Sequence, residues 1–359
     1  MDFVAARFDF PPWQVPPVRV RRNGTTVSTA SGGTARTGSW IARGLSHTRS
    51  PEGRKRMTAP DRSTVAIVGL GAMGSGMARA LLAAGLDVRG FDLSRTALDN
   101  LAALGGHPAG SVGDAAQGAA IFITVVVNAR QTEDILFGPE GAAARLPPGA
   151  VIVSCATMAP DDARRLEARA REHGLLYIDA PMSGGTGRAA TGELSFMASG
   201  HPDAFAKAEP ALDAMAATLH RLGDEAGIGS AFKMVNQLLA GVHIAAACEA
   251  VALAARLGLD LQKVYDVIRV SAGNSWMFEN RVPHILDADY APRSAVDIFV
   301  KDLGIVTDMG RATCFPTPLA ALAMQMFVMT SAAGMGRDDD ASVARFLAGL
   351  AAVELPSAG

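Results

Sequence analysis

The residues best suited to chemistry begin with a glycine-rich segment of the form Gly-x-Gly-x-x-Gly. In such a turn the first glycine permits the tight bend, the second lets a pyrophosphate approach the backbone, and the third lets the next helix pack closely. The free N–H groups and the positive end of that helix then bind the phosphates. We therefore expect cofactor contacts along the whole segment, which is Gly69, Leu70, Gly71, Ala72, Met73 and Gly74.

An acidic residue follows at the distance typical of a dinucleotide site. Asp92 lies 18 residues after Gly74, at the end of a second apolar segment, where a carboxylate would bind the hydroxyls of the adenosine ribose. A carboxylate there also repels a 2′-phosphate, and Arg95 comes only three residues later, so Asp92 favours NAD over NADP. A purely structural glycine turn is the alternative interpretation.

Lys233 has the surroundings that an acid/base lysine needs. It lies near the start of the most apolar predicted helix, among Phe232, Met234 and Val235. Desolvation and the positive helix end would both lower its pKa toward neutral pH, which suits proton transfer. Gln237 is four residues further on, so both side chains face the same substrate. The alternative is that Lys233 extends along the surface into solvent.

Further candidates lie after the strands, because ligands of open α/β sheets bind beyond the carboxyl ends of the strands. Thr157 either contacts the cofactor or forms an ST-turn or an N-cap before Pro160. Residues 179–187 form either a mobile glycine loop or a nest of N–H groups suited to a carboxylate. The candidates at these strand ends are Val127, Asn128, Thr157, Ser183, Gly184 and Gly185.

The elements that must position these residues alternate between strand and helix from residue 63 onward. Such alternation predicts βαβ units and a mostly parallel, doubly wound sheet of the Rossmann type. After residue 222 the pattern becomes helix upon helix, starting with a long Ala-rich segment at 231–257. We therefore predict an NAD-binding domain at residues 63–225 and an all-helical substrate and dimerisation domain at 226–359. The predicted strands are 65–68, 87–91, 121–127, 151–155, 175–180 and 194–198, and the predicted helices 75–84, 95–104, 111–117 and 161–173.

Composition excludes several classes of function. Hydrophobic residues make up 49% of the 359 residues and charged residues 19%, as in globular proteins, and the formal net charge of −2 predicts neither nucleic acid nor a membrane as partner. No uninterrupted apolar run reaches the ~18 residues of a membrane span. Cys155, Cys248 and Cys314 are widely spaced, so we expect small core residues in a reducing, cytoplasmic compartment and no metal site.

The N-terminal segment differs in composition from the remainder. Residues 1–56 contain ten Lys/Arg and three acidic residues and have no sustained periodicity, so we expect residues 1–62 to be a disordered or non-native extension. Three interpretations remain open: a targeting segment, a flexible arm, or translation upstream of a natural start at Met57. The third is favoured, because Met57 lies a few residues before the first strand.

Four blocks of the sequence, at 69–74, 179–185, 229–237 and 301–303, resemble the signature motifs of the β-hydroxyacid dehydrogenases. This family includes 3-hydroxyisobutyrate dehydrogenase, tartronate semialdehyde reductase and 6-phosphogluconate dehydrogenase. The resemblance implies Lys233 as the catalytic acid/base, substrate-carboxylate contacts from Ser183, Gly184 and Gly185, and cofactor contacts from Thr157 and Lys301. It also implies a small-molecule substrate and a homodimer or homotetramer.

Two departures from the family pattern indicate an altered substrate pocket. Gln237 stands where the family has a substrate-binding asparagine, and Asn128-Ala129 replaces a Leu-Pro pair. Within the family, residues 235–243, 271–281 and 290–302 resemble the L-threonate dehydrogenase branch, which implies NAD-dependent oxidation of a four-carbon sugar acid at C2. Polar side chains available for such a substrate are Ser271, Asn274, Ser275, Asn280, Gln237 and His243.

Overall fold

The computed structural model describes residues 64–357, and these form a sheet-containing half followed by a helical half. The fold class is the predicted one: a doubly wound, mostly parallel sheet of the Rossmann type, then a region of helices alone. The extension predicted at residues 1–62 lies outside the described residues.

The sheet has a parallel core with the strand order β3-β2-β1-β4-β5-β6, which is that of dinucleotide-binding folds. Strand β8 continues it in the antiparallel sense beside β6, and then pairs with β7 and β9. The strands are β1 (Thr64–Val68), β2 (Asp87–Phe91), β3 (His107–Pro108), β4 (Ile121–Thr124), β5 (Val151–Ser154), β6 (Leu176–Asp179), β7 (Met182–Ser183), β8 (Leu194–Gly200) and β9 (Ala216–Arg221).

Helices cover both faces of this sheet, which explains its continuous apolar strands. Successive side chains of a strand point to opposite faces, so Val65 and Ile67 of β1 join one buried cluster, while Ala66 and Val68 join another. Strands buried on both sides need apolar residues at every position, as β4 and β5 have at nearly all of theirs. The helices of this half are α1 (Ala72–Ala83), α2 (Arg95–Ala103), α3 (Val112–Ala116), α4 (Ala129–Phe137), α5 (Pro160–Glu172), α6 (Gly185–Thr191) and α7 (Pro202–Met215).

The helical half is built around one 29-residue helix, α8. Its apolar side chains form the centre of a third buried cluster, to which the later helices contribute. The helices of this half are α8 (Ile228–Arg256), α9 (Leu261–Ile268), α10 (Trp276–Leu286), α11 (Val296–Ala312), α12 (Pro318–Thr330) and α13 (Val343–Ala351).

Two helices in the described residues are long and apolar enough to cross a membrane by length and composition alone: Ile228–Arg256 and Pro318–Met335. Half of the apolar window of the first is buried inside the protein, as in the core helix of a soluble protein. Less of the second is buried, so α12 leaves an apolar face exposed.

The element boundaries differ from the predicted ones in several places. The strand predicted at 121–127 ends at Thr124, because Asn128 caps the unpredicted helix α4. The glycine segment 179–187 is not a free loop, since it contains β7 and the start of α6. Helix α7 and strand β9 were also not predicted. Cys155 and Cys248 are core residues as predicted, but Cys314 is exposed, so that prediction is wrong.

Candidate active site

The glycine turn between β1 and α1 is shaped by close backbone contacts. Gly69 has a φ of +93°, a conformation that side chains rarely adopt. A Cβ at Gly74 would overlap the carbonyl oxygen of Gly69, so only glycine lets α1 approach the turn this closely. Gly71 differs from both, because a Cβ added there would meet no atom within 4 Å. The face of the turn at Gly71 is therefore open to a ligand.

Helix α1 begins at Ala72, earlier than the predicted residue 75, and this places its first turn beside the open face. Its N-cap is Gly71, which has no side chain with which to cap the helix. The first N–H groups of a helix have no partner within the helix, and together with the helix dipole they attract anions. The open turn and the helix start without a side-chain cap therefore fit the pyrophosphate of NAD.

Asp92 lies at the end of β2, beside the same turn. Its Oδ2 accepts a hydrogen bond from the Leu70 N–H at 2.6 Å, and its Oδ1 accepts one from the Ser94 N–H at 2.8 Å. The second strand thus brings a carboxylate to the glycine turn. Arg95, three residues after Asp92, pairs with another acid, because its Nε lies 3.1 Å from Asp99 Oδ1 one turn further along α2.

The residues after β4 form hydrogen bonds with the first turn of α4. Asn128 Oδ1 accepts a hydrogen bond from the Gln131 N–H at 2.9 Å and so caps α4. The Val127 N–H donates to Gln131 Oε1, also at 2.9 Å. The side-chain oxygen of Asn128 is therefore engaged in the helix start, at the carboxyl edge of the sheet where a cofactor would lie.

Thr157 follows β5 at the same edge. The interpretation of Thr157 as a helix cap is wrong, because α5 has Ala159 as its N-cap and no side-chain cap. The Thr157 carbonyl oxygen accepts a hydrogen bond from Lys301 Nζ at 3.1 Å, although 144 residues separate the two. The structure thus brings together two residues that the sequence predicts as cofactor contacts.

A carboxylate from the sheet fixes the start of α8. Asp179, the last residue of β6, accepts hydrogen bonds from the Gly227 N–H at 2.9 Å and from the N–H and hydroxyl of Ser230, each at 2.8 Å. Burial raises the pKa of Asp179 to about 6, although these hydrogen bonds oppose the rise. A negative charge at a helix N-terminus stabilises that helix. The helix that carries Lys233 therefore begins at a defined place against the sheet.

Lys233 is buried, with a relative exposure of 7%, and its Nζ donates a hydrogen bond to the Met182 carbonyl oxygen at 2.8 Å. The alternative that it extends into solvent is therefore wrong. Burial lowers the pKa of Lys233 to about 8; the negative charge of Asp302 opposes this effect, and the positive charge of Lys301 adds to it. An amine with this pKa exchanges protons readily near neutral pH.

The predicted carboxylate contacts come directly after the carbonyl that Lys233 binds. Met182 and Ser183 form β7, and Ser183 pairs with Ser195 of β8. Gly184 is the N-cap of α6, and Gly185 is the first residue of that helix. Backbone N–H groups at a helix start attract a carboxylate, and Ser183, which has a hydroxyl group, directly precedes Gly184 in the sequence.

Gln237 and Lys301 meet at a buried acid. Asp302 Oδ2 accepts a hydrogen bond from Gln237 Nε2, and Asp302 Oδ1 accepts one from Lys301 Nζ, each at 2.5 Å. Gln237 Oε1 in turn accepts one from Asn236 Nδ2 at 2.9 Å. The candidate substrate contact on α8 and the candidate cofactor contact on α11 are therefore parts of one network.

Most of the other polar side chains proposed for a sugar acid are engaged in local structure. Ser275 caps α10, Ser271 Oγ donates to the Val267 carbonyl, and Asn274 binds backbone and side-chain oxygens nearby. Asn280 accepts a hydrogen bond from Arg281. Gln237 is the member of this set that reaches the Lys233 region.

Sequence reasoning gave no role to Asp179 or Asp302. A signal for Asp302 was present, since it falls on the buried face of α11 with Phe299, Leu303 and Val306. A carboxylate at the helical spacing of a core face requires a buried partner. For Asp179 the partners are backbone N–H groups about 50 residues away in the sequence, which no local pattern reveals.

Two family models match the chain. Residues 64–223 match the NAD-binding domain of 6-phosphogluconate dehydrogenase, and residues 227–347 match the NAD-binding region of NADP-dependent 3-hydroxyisobutyrate dehydrogenase.

Among curated relatives, an L-threonate dehydrogenase of Cupriavidus necator is 52% identical over 81% of this chain and 97% of its own length. The L-threonate dehydrogenase of Escherichia coli K12 is 47% identical over 80% of this chain and 95% of its own length. Among solved structures, a 3-hydroxyisobutyrate dehydrogenase from Salmonella typhimurium matches with a TM-score of 0.76 and 48% identity, over 79% of this chain and 99% of that one. The chain therefore belongs to the family of NAD-binding dehydrogenases that includes 3-hydroxyisobutyrate dehydrogenase, and it is an NAD-dependent oxidoreductase that acts on the CH–OH group of a small hydroxyacid.

Proposed function

We propose that the protein oxidises the C2 hydroxyl of L-threonate, a four-carbon sugar acid, to the 2-oxo acid 2-dehydro-L-erythronate. The substrate assignment is supported by five curated L-threonate dehydrogenases that are 46–52% identical to this chain over at least 94% of their own lengths. In this proposal residues 63–225 form the NAD-binding domain and residues 226–359 the substrate and dimerisation domain.

The buried Lys233, bonded to the carbonyl of Met182, is the observation that best supports the mechanism. Ser183 and the N–H groups of Gly184 and Gly185 hold the substrate carboxylate and so place the C2 hydroxyl near Lys233. Lys233 is neutral before the step and takes the hydroxyl proton, and Gln237 binds a further oxygen of the sugar acid. NAD, when bound, accepts the hydride from C2.

The cofactor is held by backbone and side-chain groups at the carboxyl edge of the sheet. In the proposal the glycine turn would hold the pyrophosphate and Asp92 the adenosine ribose, while the ends of β4 and β5 and Lys301 would contact the remainder of the cofactor. The proposed cofactor contacts are Gly69, Leu70, Gly71, Ala72, Met73, Gly74, Asp92, Val127, Asn128, Thr157 and Lys301.

A panel of sugar acids tests this function directly. NADH formation is measured with L-threonate, D-threonate, L-erythronate, D-glycerate, L-serine and 3-hydroxyisobutyrate as substrates. We expect the highest kcat/KM for L-threonate, and a higher value for any other member contradicts the substrate assignment. NADH formation with none of them would favour a nucleotide-binding module without catalysis.

A 3-hydroxyacid substrate is the second candidate. It is supported by the Salmonella structure named as a 3-hydroxyisobutyrate dehydrogenase, and by a curated NAD-dependent L-serine dehydrogenase of Pseudomonas aeruginosa that is 35% identical over 94% of its length. Tartronate semialdehyde reduction, which belongs to the same family, is assayed with the same protein in the reverse direction.

We also propose that the protein is a cytoplasmic homodimer or homotetramer. Leu319 and Leu322 of α12 are each 66% exposed and lie on one face with Met329. A second copy of the chain would cover these apolar side chains. Sedimentation analysis of wild type and Leu322→Lys tests the proposal, since a monomeric wild type contradicts it.

A further inference from the structure

Asp302 joins two helices at the centre of the candidate site. The residue is buried, with 1% relative exposure, and it accepts one hydrogen bond from α8 and one from its own helix, α11. The donors are Gln237 Nε2 and Lys301 Nζ, each at 2.5 Å from a different carboxylate oxygen. Both oxygens of this buried acid therefore have partners that belong to the candidate site.

The same network extends to both sides of the site. Lys301 Nζ also donates to the Thr157 carbonyl at 3.1 Å, at the cofactor edge of the sheet. On the substrate side, Gln237 lies one helical turn after Lys233 on the same face of α8. Asp302 thus binds one side chain that contacts the cofactor edge and another that lies one helical turn from Lys233.

The charged groups that act on Lys233 both belong to α11. From α11, the charged groups that act on the lysine are Asp302 and Lys301. From the sheet, its hydrogen-bond partner is the neutral carbonyl of Met182. Asp302 and Lys301 balance each other while Lys233 is neutral, so no net charge is buried before the reaction.

Proton transfer changes this balance. The substrate O–H bond breaks and an N–H bond forms on Lys233, while the C2–H electron pair leaves as hydride to the cofactor. Lys233 then carries a positive charge in a desolvated place, where an unpaired charge is costly. Asp302 is the negative group in position to stabilise it.

We propose that Asp302 is a positioning residue that holds Gln237 and Lys301 in one network beside Lys233 and stabilises the ammonium form of Lys233 after it takes the substrate proton. The inference rests on the proposed function for the identity of the reaction. The network itself is tested without substrate or cofactor.

The charge of Lys233 is measured by NMR titration of the apoprotein labelled with 13C at lysine Cε. The chain has five lysines, so Lys233→Met and Lys301→Met assign the relevant resonances. Asp302→Asn should lower the pKa of Lys233 by about one pH unit, because it removes a nearby negative charge. Lys301→Met should raise the same pKa by a similar amount, because it removes a positive charge.

Opposite shifts distinguish this role from a structural one. Loosened packing would admit water and raise the pKa of Lys233 in both variants, and that result overturns the proposal. Asp308→Asn is the matched control: it makes the same charge change on the exposed face of α11 and should leave the titration unaltered. If Asp302→Asn fails to fold, Lys301→Met is compared with Lys301→Arg, which keeps the positive charge: the pKa of Lys233 should rise only in Lys301→Met, and a rise in both variants or in neither contradicts the inference.

Kinetics of the holoenzyme provide a second measurement. The rate of sugar-acid oxidation rises with pH as Lys233 loses its proton, and Asp302→Asn should move this rise to lower pH. KM for the sugar acid should increase about tenfold, because one carboxylate oxygen becomes an amide NH2 group, which cannot accept the hydrogen bond from Gln237 while the remaining oxygen binds Lys301. An unchanged pH profile and an unchanged KM would overturn the positioning role. If the profile shifts as expected but the enzyme oxidises a different substrate, only the substrate assignment is contradicted.

Discussion

The glycine turn and the Lys233 region have roles in the same proposed reaction but are built by opposite means. The turn is formed by the absence of side chains, with Gly69 in a positive-φ conformation and Gly74 packed against its carbonyl. The Lys233 region is formed by buried charged side chains, each with a partner. An added side chain should therefore impair the glycine turn, and removal of a charged group should impair the Lys233 region.

The largest effect should come from the charged region. Lys233→Met removes the proposed acid/base and should lower kcat by about 10²–10⁴, while NADH binding measured by fluorescence remains. This retention of binding would separate the two regions functionally. Near-normal turnover in the variant would exclude Lys233 as the acid/base.

The glycine turn is tested by adding one methyl group at two positions. Gly74→Ala overlaps backbone and should lower the free energy of unfolding by about 1–3 kcal/mol. Gly71→Ala has space for its methyl group, so its stability should change by less than about 0.5 kcal/mol, yet NAD binding should weaken by about tenfold or more. Urea unfolding and calorimetric titration with NAD measure the two effects. Normal NAD affinity in Gly71→Ala would contradict the proposed position of the pyrophosphate.

Asp179 connects the sheet to the Lys233 region, because its carboxyl group at the end of β6 binds the start of α8, the helix that carries Lys233. Burial raises its pKa from 3.8 to about 6, so between these pH values the folded chain binds more protons than the unfolded chain. The stability that this group contributes is therefore fully present below pH 3.8 and decreases as the pH rises to about 6.

The matched variant is Asp179→Asn, which cannot ionise. The free energy of unfolding of wild type relative to this variant should decrease by about 1–3 kcal/mol across that pH range. Asp203→Asn, an exposed acid at the start of α7, serves as the control and should show no such trend. A constant difference between wild type and Asp179→Asn would indicate that folding does not raise the pKa of Asp179.

The smallest effect concerns the choice of cofactor. Asp92→Ser should reduce the preference for NAD over NADP by about tenfold, or about 1.4 kcal/mol, because a neutral hydroxyl does not repel a 2′-phosphate. Asp114→Ser, an exposed acid on α3, should not change the preference. The preference is measured as the ratio of kcat/KM for NAD to kcat/KM for NADP. An unaltered ratio in Asp92→Ser would show that residues other than Asp92 discriminate between the cofactors.

The two regions also differ in how far the sequence predicts them. The glycine turn is local, so the spacing from Gly69 to Asp92 was sufficient to predict its strands, its helix and the approach of the acid. The Lys233 region depends on contacts across 50 to 150 residues, such as Lys301 with Thr157 and Gln237 with Asp302. The low pKa of Lys233 was foreseen from its apolar neighbours, but the role of Asp302 was not. Helices α4 and α7 were missed although their starts carry helix signals, Asn128 as the N-cap of α4 and Pro202 at the first position of α7.

The contact of Asp179 with the start of α8 has a consequence for recombination between relatives. A crossover near residues 223–226, where the sheet gives way to helices, would leave a buried carboxylate facing donors from a different parent. Chimeras that exchange the helical half should instead be joined after Ser230, so that Asp179 and all three of its donors come from one protein. The junction that preserves this contact therefore lies inside α8, after Ser230, and not at the start of the helix at Ile228.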